Sequence, residues 1–123
     1  MKFKIVDAHV FWWPVEVVCP DPDKPGKTVT QSFTMQFQAM PADEADAMMK
    51  EINALPPEEQ KNRQHEELLR VCKNWRDVTD EKGEQVPFSE ETLKACLQYS
   101  WFNRGLYKAY MRSLAPDEAR KGN

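Results

Sequence analysis

Three carboxylates and a glycine fall within five residues at positions 80–84, in the segment DEKGE. This density of acidic groups is compatible with a calcium loop, a catalytic acid pair or a polar turn. An EF-hand loop requires ligands at positions 1, 3 and 5, a glycine at position 6 and a glutamate at position 12. Counted from Asp77 or from Asp80, Gly83 falls elsewhere. The spacing therefore predicts a turn, with Gly83 at positive φ.

The acidic residues of the chain are poor candidates for acid–base catalysis. A catalytic carboxyl group needs a desolvated setting that raises its pKa, whereas the acids of DEKGE flank Lys82 in a polar run. We expect these acids to be solvated. The glutamates that follow Pro57 are likewise predicted to lie on the polar side of a helix: Glu58, Glu59, Glu66 and Glu67.

Histidine and cysteine residues do not form a recognisable motif. His65 precedes Cys72 by seven residues, so the two could share a helical face, but zinc needs three or four ligands and no CxxC or HExxH lies nearby. His9 has no partner in its strand. The cysteines lie in apolar strands or stripes, where thiols stay protonated: Cys19, Cys72 and Cys96. The sequence predicts no metal, no cofactor, no catalytic residue and no enzymatic activity.

The composition is that of a single globular domain. The chain has 123 residues, of which 41% are apolar and 30% are charged. The net charge of −3 mixes both signs without a basic stripe, which disfavours nucleic-acid binding. No apolar run has the length of a membrane span, and the first residues do not resemble a signal peptide. An odd number of cysteines indicates a reducing cytoplasm.

Two aromatic-rich segments are the remaining candidates for a binding surface. Four large apolar residues occupy positions 10–13, and two of them must face away from the other two because strand side chains alternate. Helices could cover that second face, or part of the set could await a partner. In the last helical segment, Trp101, Arg104 and Tyr107 fall off the apolar stripe, and these residue types are enriched at binding hot spots.

Packing in the core is the alternative for both segments. The candidate partner-binding residues are nevertheless the large aromatic ones, and we expect at least one to be largely exposed or covered only by a second copy: Phe11, Trp12, Trp13 and Trp101.

Residues 1–39 are predicted to form a β-hairpin. Residues 3–19 are rich in Val, Ile, Phe and Trp, and Val15, Val17 and Cys19 show a two-residue period. The segment 20–26, PDPDKPG, excludes helix and sheet interior and connects the strands. Apolar and polar side chains then alternate over residues 29–38, the pattern of a half-buried antiparallel strand.

Residues 41–115 are predicted to be helical, because the apolar spacing changes to that of a helix. Pro41 and Pro57 begin two helices, and after a loop at 77–87 Ser89 is the expected N-cap of the next. Gly105 inside the last helix costs about 1 kcal/mol relative to alanine, so we expect a packing reason for it. The apolar stripes of the first two helices contain Ala45, Met48, Met49 and Ile52, then Leu68, Val71, Cys72 and Trp75.

The predicted architecture is a single α+β domain over residues 1–123. An N-terminal antiparallel β-hairpin packs on a bundle of about four helices. Pro116 ends the last helical pattern, and residues 116–123 are predicted to form a flexible tail.

Four segments follow one another in order: WPVEVVCPDP, FTMQFQAMPADEADAMM, VCKNWRDVTDEKGEQVPFSEETLKACL and LYKAYMRSL. In this order and spacing they resemble the tail assembly chaperone family of siphophages and prophages, from about Trp13 to Asn123. In that family a tryptophan and an acidic turn with glycine precede a PFS helix start, and Trp75, Gly83 and residues 87–89 match this pattern. The chain departs from it at the C-terminus, which reads RKGN where the family has KN.

The resemblance implies a non-enzymatic factor without metal or cofactor. Such proteins are encoded between the tail tube and tape-measure genes. They bind the long, helical, aggregation-prone tape-measure protein and recruit tail tube subunits around it. They do not remain in the finished tail, so the resemblance implies the cytoplasm of the bacterial host and absence from the mature virion. It implies no nucleic-acid or membrane partner, and it leaves self-association open.

Two other functions stay open. The chain could be a small structural or adaptor subunit retained in the phage tail, or a small enzyme whose site is assembled from distant residues. A tape-measure gene directly downstream would favour the chaperone, and stoichiometric presence in purified virions would favour the retained subunit.

Overall fold

The computed structural model describes residues 1–117 and has an α+β fold. The α+β prediction is confirmed, with a hairpin packed on four helices in this part of the chain. Of the predicted flexible tail, residues 116 and 117 are helical, and residues 118–123 lie outside the described residues. The elements in chain order are β1 (Val10–Pro20), β2 (Thr28–Gln38), α1 (Ala42–Ala54), α2 (Pro57–Val71), β3 (Cys72–Arg76), α3 (Glu90–Leu97) and α4 (Ser100–Ser113).

The β-hairpin forms as the alternation predicts. β1 and β2 pair antiparallel along their full lengths, and residues 21–27 connect them. In this connection the Asp21 carboxylate accepts hydrogen bonds from the backbone N–H groups of Asp23 and Lys24. Alternate residues of both strands face the core, and the buried ones are Val15, Val17, Cys19, Phe33, Met35 and Phe37.

A third strand lies where the sequence predicts helix. α2 ends at Val71, and Cys72–Arg76 forms β3, which pairs antiparallel with β2. The prediction that the helix continues to Trp75 is therefore wrong. The predicted stripe around this junction is buried, although its spacing is that of one helical face: Leu68, Val71, Cys72 and Trp75. The chain passes from helix to strand here because the free edge of β2 supplies backbone partners.

The first strand begins later than the sequence predicts. Residues 3–9 have the composition of a strand, but β1 starts at Val10. Phe3 and Ile5 are almost fully exposed, and within residues 1–117 no strand pairs with the segment that precedes β1. A strand needs a neighbour to satisfy its backbone groups, and in the described part of the chain the pairing ends at His9, whose carbonyl accepts a hydrogen bond from the Ala39 N–H.

α1 and α2 pack on each other beside the sheet. Ile52 is buried, as the stripe of α1 predicts, but Met49 of the same stripe is exposed. An ion pair between Glu51 of α1 and Arg63 of α2 joins the two helices. Among the helices of residues 1–117, none is long and apolar enough to cross a bilayer.

α3 and α4 cover the core-facing side of the sheet. The Ser89 hydroxyl accepts a hydrogen bond from the backbone N–H of Thr92 at 3.0 Å, so Ser89 is the N-cap of α3, as predicted. α4 lies directly against β1 at Gly105. A Cβ atom at Gly105 would lie 2.5 Å from the carbonyl oxygen of Glu16. Gly105 therefore has the packing role that its place in a helix predicts.

Candidate functional site

The acidic segment at 80–84 is a turn, as the sequence predicts. The Asp80 carboxylate accepts hydrogen bonds from the backbone N–H groups of Lys82 and Glu84, at 2.9 and 3.0 Å. The Gly83 N–H donates to the Asp80 carbonyl, and Gly83 has a φ of 80°. The Asp80 carboxylate thus holds the backbone of its own turn, and the residues around it are exposed.

Glu67 is one acid that the sequence misplaces. It is predicted on the polar side of its helix, but it is only 4% exposed, because α2 turns this residue toward α4. Burial raises the pKa of Glu67. Burial, and then the charge of Glu67, raise the pKa values of Tyr107 and Tyr110. Glu67 does not line either of the two clefts described below. Neither cleft therefore brings a substrate to its carboxyl group.

The histidine and cysteine side chains are not arranged as ligands. In residues 1–117 no three His, Cys, Asp or Glu side chains lie together as a metal site requires. Burial raises the pKa of Cys72 to about 12 and also raises that of Cys96, so both thiols stay protonated. Burial lowers the pKa of His65, which keeps its ring neutral.

A cleft of about 370 Å³ opens between α4 and β1, which is an edge strand in the sheet of the described residues. We call it the β1–α4 groove. It runs along the line where Gly105 lets the helix approach the strand. Its walls come from both elements: Trp13, Pro14, Glu16 and Val18 of β1, and Trp101, Arg104, Gly105, Lys108, Ala109 and Arg112 of α4.

The α4 wall of the groove carries a basic stripe. Arg104, Lys108 and Arg112 follow one another at four-residue intervals, so they lie on one side of the helix. All three are exposed, and none forms an ion pair within residues 1–117. Among the described residues that line the groove, Glu16 is the one acid. The prediction that the chain has no basic stripe is wrong for α4.

An aromatic surface adjoins the basic stripe. Trp101 separates the groove from a second, mainly apolar cleft of about 210 Å³, to which Cys96 and Phe102 contribute. Tyr99 also lines this second cleft and is 56% exposed. Its ring stacks on Trp101 with the centroids 5.3 Å apart. Cations and aromatic rings therefore form one continuous surface at the start of α4.

The structure places two of the four predicted partner-binding residues in the groove. Trp13 and Trp101 both line the groove. Phe11 turns toward the core, where it packs on Phe37. Trp12 lies on the opposite face of the sheet, with the Arg76 guanidinium 3.7 Å from its ring centroid.

All four predicted residues are half-buried. None of them is therefore largely exposed in the single chain, which contradicts the first half of the expectation, and coverage of one of them by a second copy stays a prediction. The exposed ring beside them is Tyr99, which precedes the helical stripe, so no spacing in the sequence marks it. The basic stripe could have been found from its four-residue spacing alone, but its place beside β1 could not.

No family model, curated protein or solved structure matches this chain. Tryptophan, tyrosine and arginine are the side chains most enriched at protein-binding hot spots. Their arrangement here suits the binding of a polypeptide through apolar and acidic side chains.

Proposed function

We propose that this protein is a non-enzymatic tail assembly chaperone of the siphophage type. It acts in the cytoplasm of the bacterial host, binds the tape-measure protein and helps to recruit tail tube subunits. The observation that carries the proposal is the β1–α4 groove, where the half-buried rings of Trp13 and Trp101 adjoin three exposed cations. The sequence resemblance supplies the identity of the partners.

The groove has properties that suit transient binding. A chaperone must bind apolar segments of its client and release them when tube subunits take over. A large exposed apolar patch would cause aggregation, and a fully buried one could not bind. Trp13 and Trp101 lie between these limits, because both are half-buried. Exposed Tyr99 extends the surface that they form.

Co-expression with the tape-measure protein tests this function. We expect the tape-measure protein to stay in the supernatant and to co-elute with the tagged chain. Trp101→Ser should weaken that binding by about 2 kcal/mol, the effect of a hot-spot residue. Trp12→Ser is the matched control, because Trp12 is also half-buried but does not line the groove, and its ring packs against Arg76 instead.

Thermal melting of both variants must show that each is folded. Failure of the wild-type chain to retain the tape-measure protein would contradict the proposed function. Equal losses of binding in Trp101→Ser and Trp12→Ser would contradict the assignment to the groove.

One observation favours a second function, that of a small structural or adaptor subunit retained in the tail. Phe3 and Ile5 are almost fully exposed in a segment with strand composition, and such a segment can pair with a neighbouring subunit in an assembly. Mass spectrometry of purified virions separates the two functions. Stoichiometric amounts of this chain in virions would favour the retained subunit, and its absence would favour the chaperone.

A further inference from the structure

We propose that the β1–α4 groove binds an acidic amphipathic helix, whose carboxylates pair with Arg104, Lys108 and Arg112 and whose apolar end packs on Trp101. This inference deepens the proposed function, because it names the chemistry of the client segment and rests on a client being bound. Its three parts are the charge of the partner, its helical form and its apolar end.

The charge of the partner follows from the basic stripe. In a chain with a net charge of −3, three exposed cations share one side of α4 and have no ion-pair partner within residues 1–117. Glu16 is the one acid among the described lining residues, and its carboxylate forms no ion pair with these cations. From Arg104 to Arg112 the stripe extends about 12 Å, at 1.5 Å per helical residue. Carboxylates spread over that length would complement it.

The groove favours a helix over an added strand. β1 is the edge of the sheet in the described residues, but Pro14 in its middle has no N–H to donate. Contact with α4 at Gly105 also blocks the approach to the backbone near Glu16. A strand cannot pair along such an edge. A helix with acidic residues at four-residue intervals has the same repeat as the basic stripe, so each carboxylate meets one cation.

The charge of the groove is too small for a nucleic acid. A protein that neutralises about 6 to 10 phosphates of a nucleic acid needs a comparable number of cations. The groove offers the three cations of α4, and Glu16 would repel phosphates. A helix with one carboxylate per turn needs only one cation per turn to pair all its charges.

The apolar end of the partner follows from the position of Trp101. This residue precedes Arg104 by one helical turn and separates the groove from the second cleft beside Tyr99. A large apolar side chain one turn beyond the acidic residues would pack there. The expected client segment therefore combines a short acidic run with an apolar anchor.

The test uses the full chain and a fluorescein-labelled peptide of about 18 residues, long enough to be helical. An alanine- and glutamine-rich host carries three glutamates at four-residue intervals and a leucine one turn beyond each end. The control peptide has glutamine in place of the three glutamates. Fluorescence anisotropy should show about tenfold weaker binding of the control peptide, because its charge complementarity is lost. A version with a central proline should also lose affinity, because it cannot form the helix.

Charge reversal on the protein side provides the second arm. Lys108→Glu should weaken binding of the acidic peptide about tenfold, and a peptide with lysines in place of the glutamates should bind this variant better than wild type. Lys50→Glu is the matched control, since Lys50 is exposed on α1 and lies outside the groove. Both variants are surface changes, and circular dichroism checks that they fold.

Several outcomes would overturn the inference. These are equal affinity for the acidic and control peptides, no loss of binding in Lys108→Glu, or full retention of affinity by the proline peptide. A short oligothymidylate that displaces the peptide from wild type, and fails to bind Lys108→Glu, would identify a nucleic-acid site instead.

The outcomes also separate this inference from the proposed function. If wild type and Lys108→Glu retain the tape-measure protein equally, the inference fails and the function stands. If the acidic peptide binds while the tape-measure protein is not retained, the function fails and the inference stands.

Discussion

The acidic turn at 80–84 and the basic stripe of α4 are both short, exposed clusters of like charge, but their charges have different uses. In the turn, the Asp80 carboxylate accepts two backbone hydrogen bonds. In the stripe, Arg104, Lys108 and Arg112 have no ion-pair partner within residues 1–117. Charge density in the sequence draws attention to the turn first. The Asp80 charge is already used inside the protein, whereas the three cations of the stripe remain available for the partner proposed above.

Each region also depends on a glycine, for different reasons. Gly83 has a φ of 80° and open space around its Cα, so the turn needs its backbone freedom. Gly105 has ordinary helical geometry but lies where a Cβ would collide with the backbone of β1. One glycine serves the conformation of a loop, and the other sets the distance between the two walls of the groove.

The largest expected effect on stability is that of a substitution at Gly105, and it distinguishes the roles of the two glycines. Gly105→Ala should lower the free energy of unfolding by about 2 kcal/mol, because the collision with Glu16 outweighs the gain in helix propensity of about 1 kcal/mol. Gly83→Ala should lower the free energy of unfolding by about 1 kcal/mol, because a residue with a side chain is strained in the left-handed conformation. Urea denaturation measures both. A larger cost at Gly83 than at Gly105 would contradict this account of the groove.

Removal of the Asp80 carboxylate tests whether the turn uses its own charge. Asp80→Ala should lower the free energy of unfolding by about 1.5 kcal/mol, because two backbone N–H groups lose a charged acceptor. Calcium should not change the melting temperature of wild type or variant. A rise in melting temperature at micromolar calcium would mean that the acids bind the ion.

Glu67 provides a buried counterpart to the exposed charges of the stripe. A buried carboxylate without an ion-pair partner should destabilise the folded state. Burial raises its pKa, so Glu67→Gln should raise the free energy of unfolding at pH 7 by about 1 kcal/mol. The folded state holds the proton more tightly than the unfolded chain. The stability of wild type relative to Glu67→Gln should therefore decline as pH rises from the usual glutamic acid pKa through the raised value.

Chemical denaturation of wild type and Glu67→Gln as a function of pH measures this effect. Below the usual glutamic acid pKa the carboxyl group is protonated in both states, so the difference between the two proteins should disappear. A difference that does not depend on pH would show that the charge is not its cause.

The smallest expected effect on stability belongs to the basic stripe. Lys108→Gln should change the free energy of unfolding by less than about 0.5 kcal/mol, because an exposed charge without an internal partner contributes little. The same change should weaken binding of the acidic peptide. The difference in affinity between Lys108→Gln and wild type should be smaller at high salt, because salt also screens the charges of the wild-type stripe. A stability loss as large as that of Asp80→Ala would end the contrast between the two clusters.

The hairpin and the acidic turn could be predicted because their signals are local. Period-two alternation assigns Phe33, Met35 and Phe37 to one face, whatever packs on it. The change from helix to strand at Cys72 is different, because Leu68, Val71, Cys72 and Trp75 keep helical spacing across it. A free edge on β2 decides that change, and no local pattern contains it.

The candidate site was predictable only in part, for the same reason. Aromatic residue type points to Trp13 and Trp101, and four-residue spacing is sufficient to find Arg104, Lys108 and Arg112. That these residues line the same groove depends on where α4 crosses β1, which no local pattern contains. The burial of Glu67 likewise depends on the helix that covers it, so its predicted place on the polar side of α2 was misleading.

Pro14 and Pro20 have a consequence for the behaviour of the protein at high concentration. Both lie on β1, whose outer edge is unpaired in the sheet of the described residues. A growing cross-β fibril recruits strands through a regular series of N–H donors, and a proline interrupts that series. Beside extended, aggregation-prone chains, this edge of the molecule should neither seed a fibril nor be drawn into one.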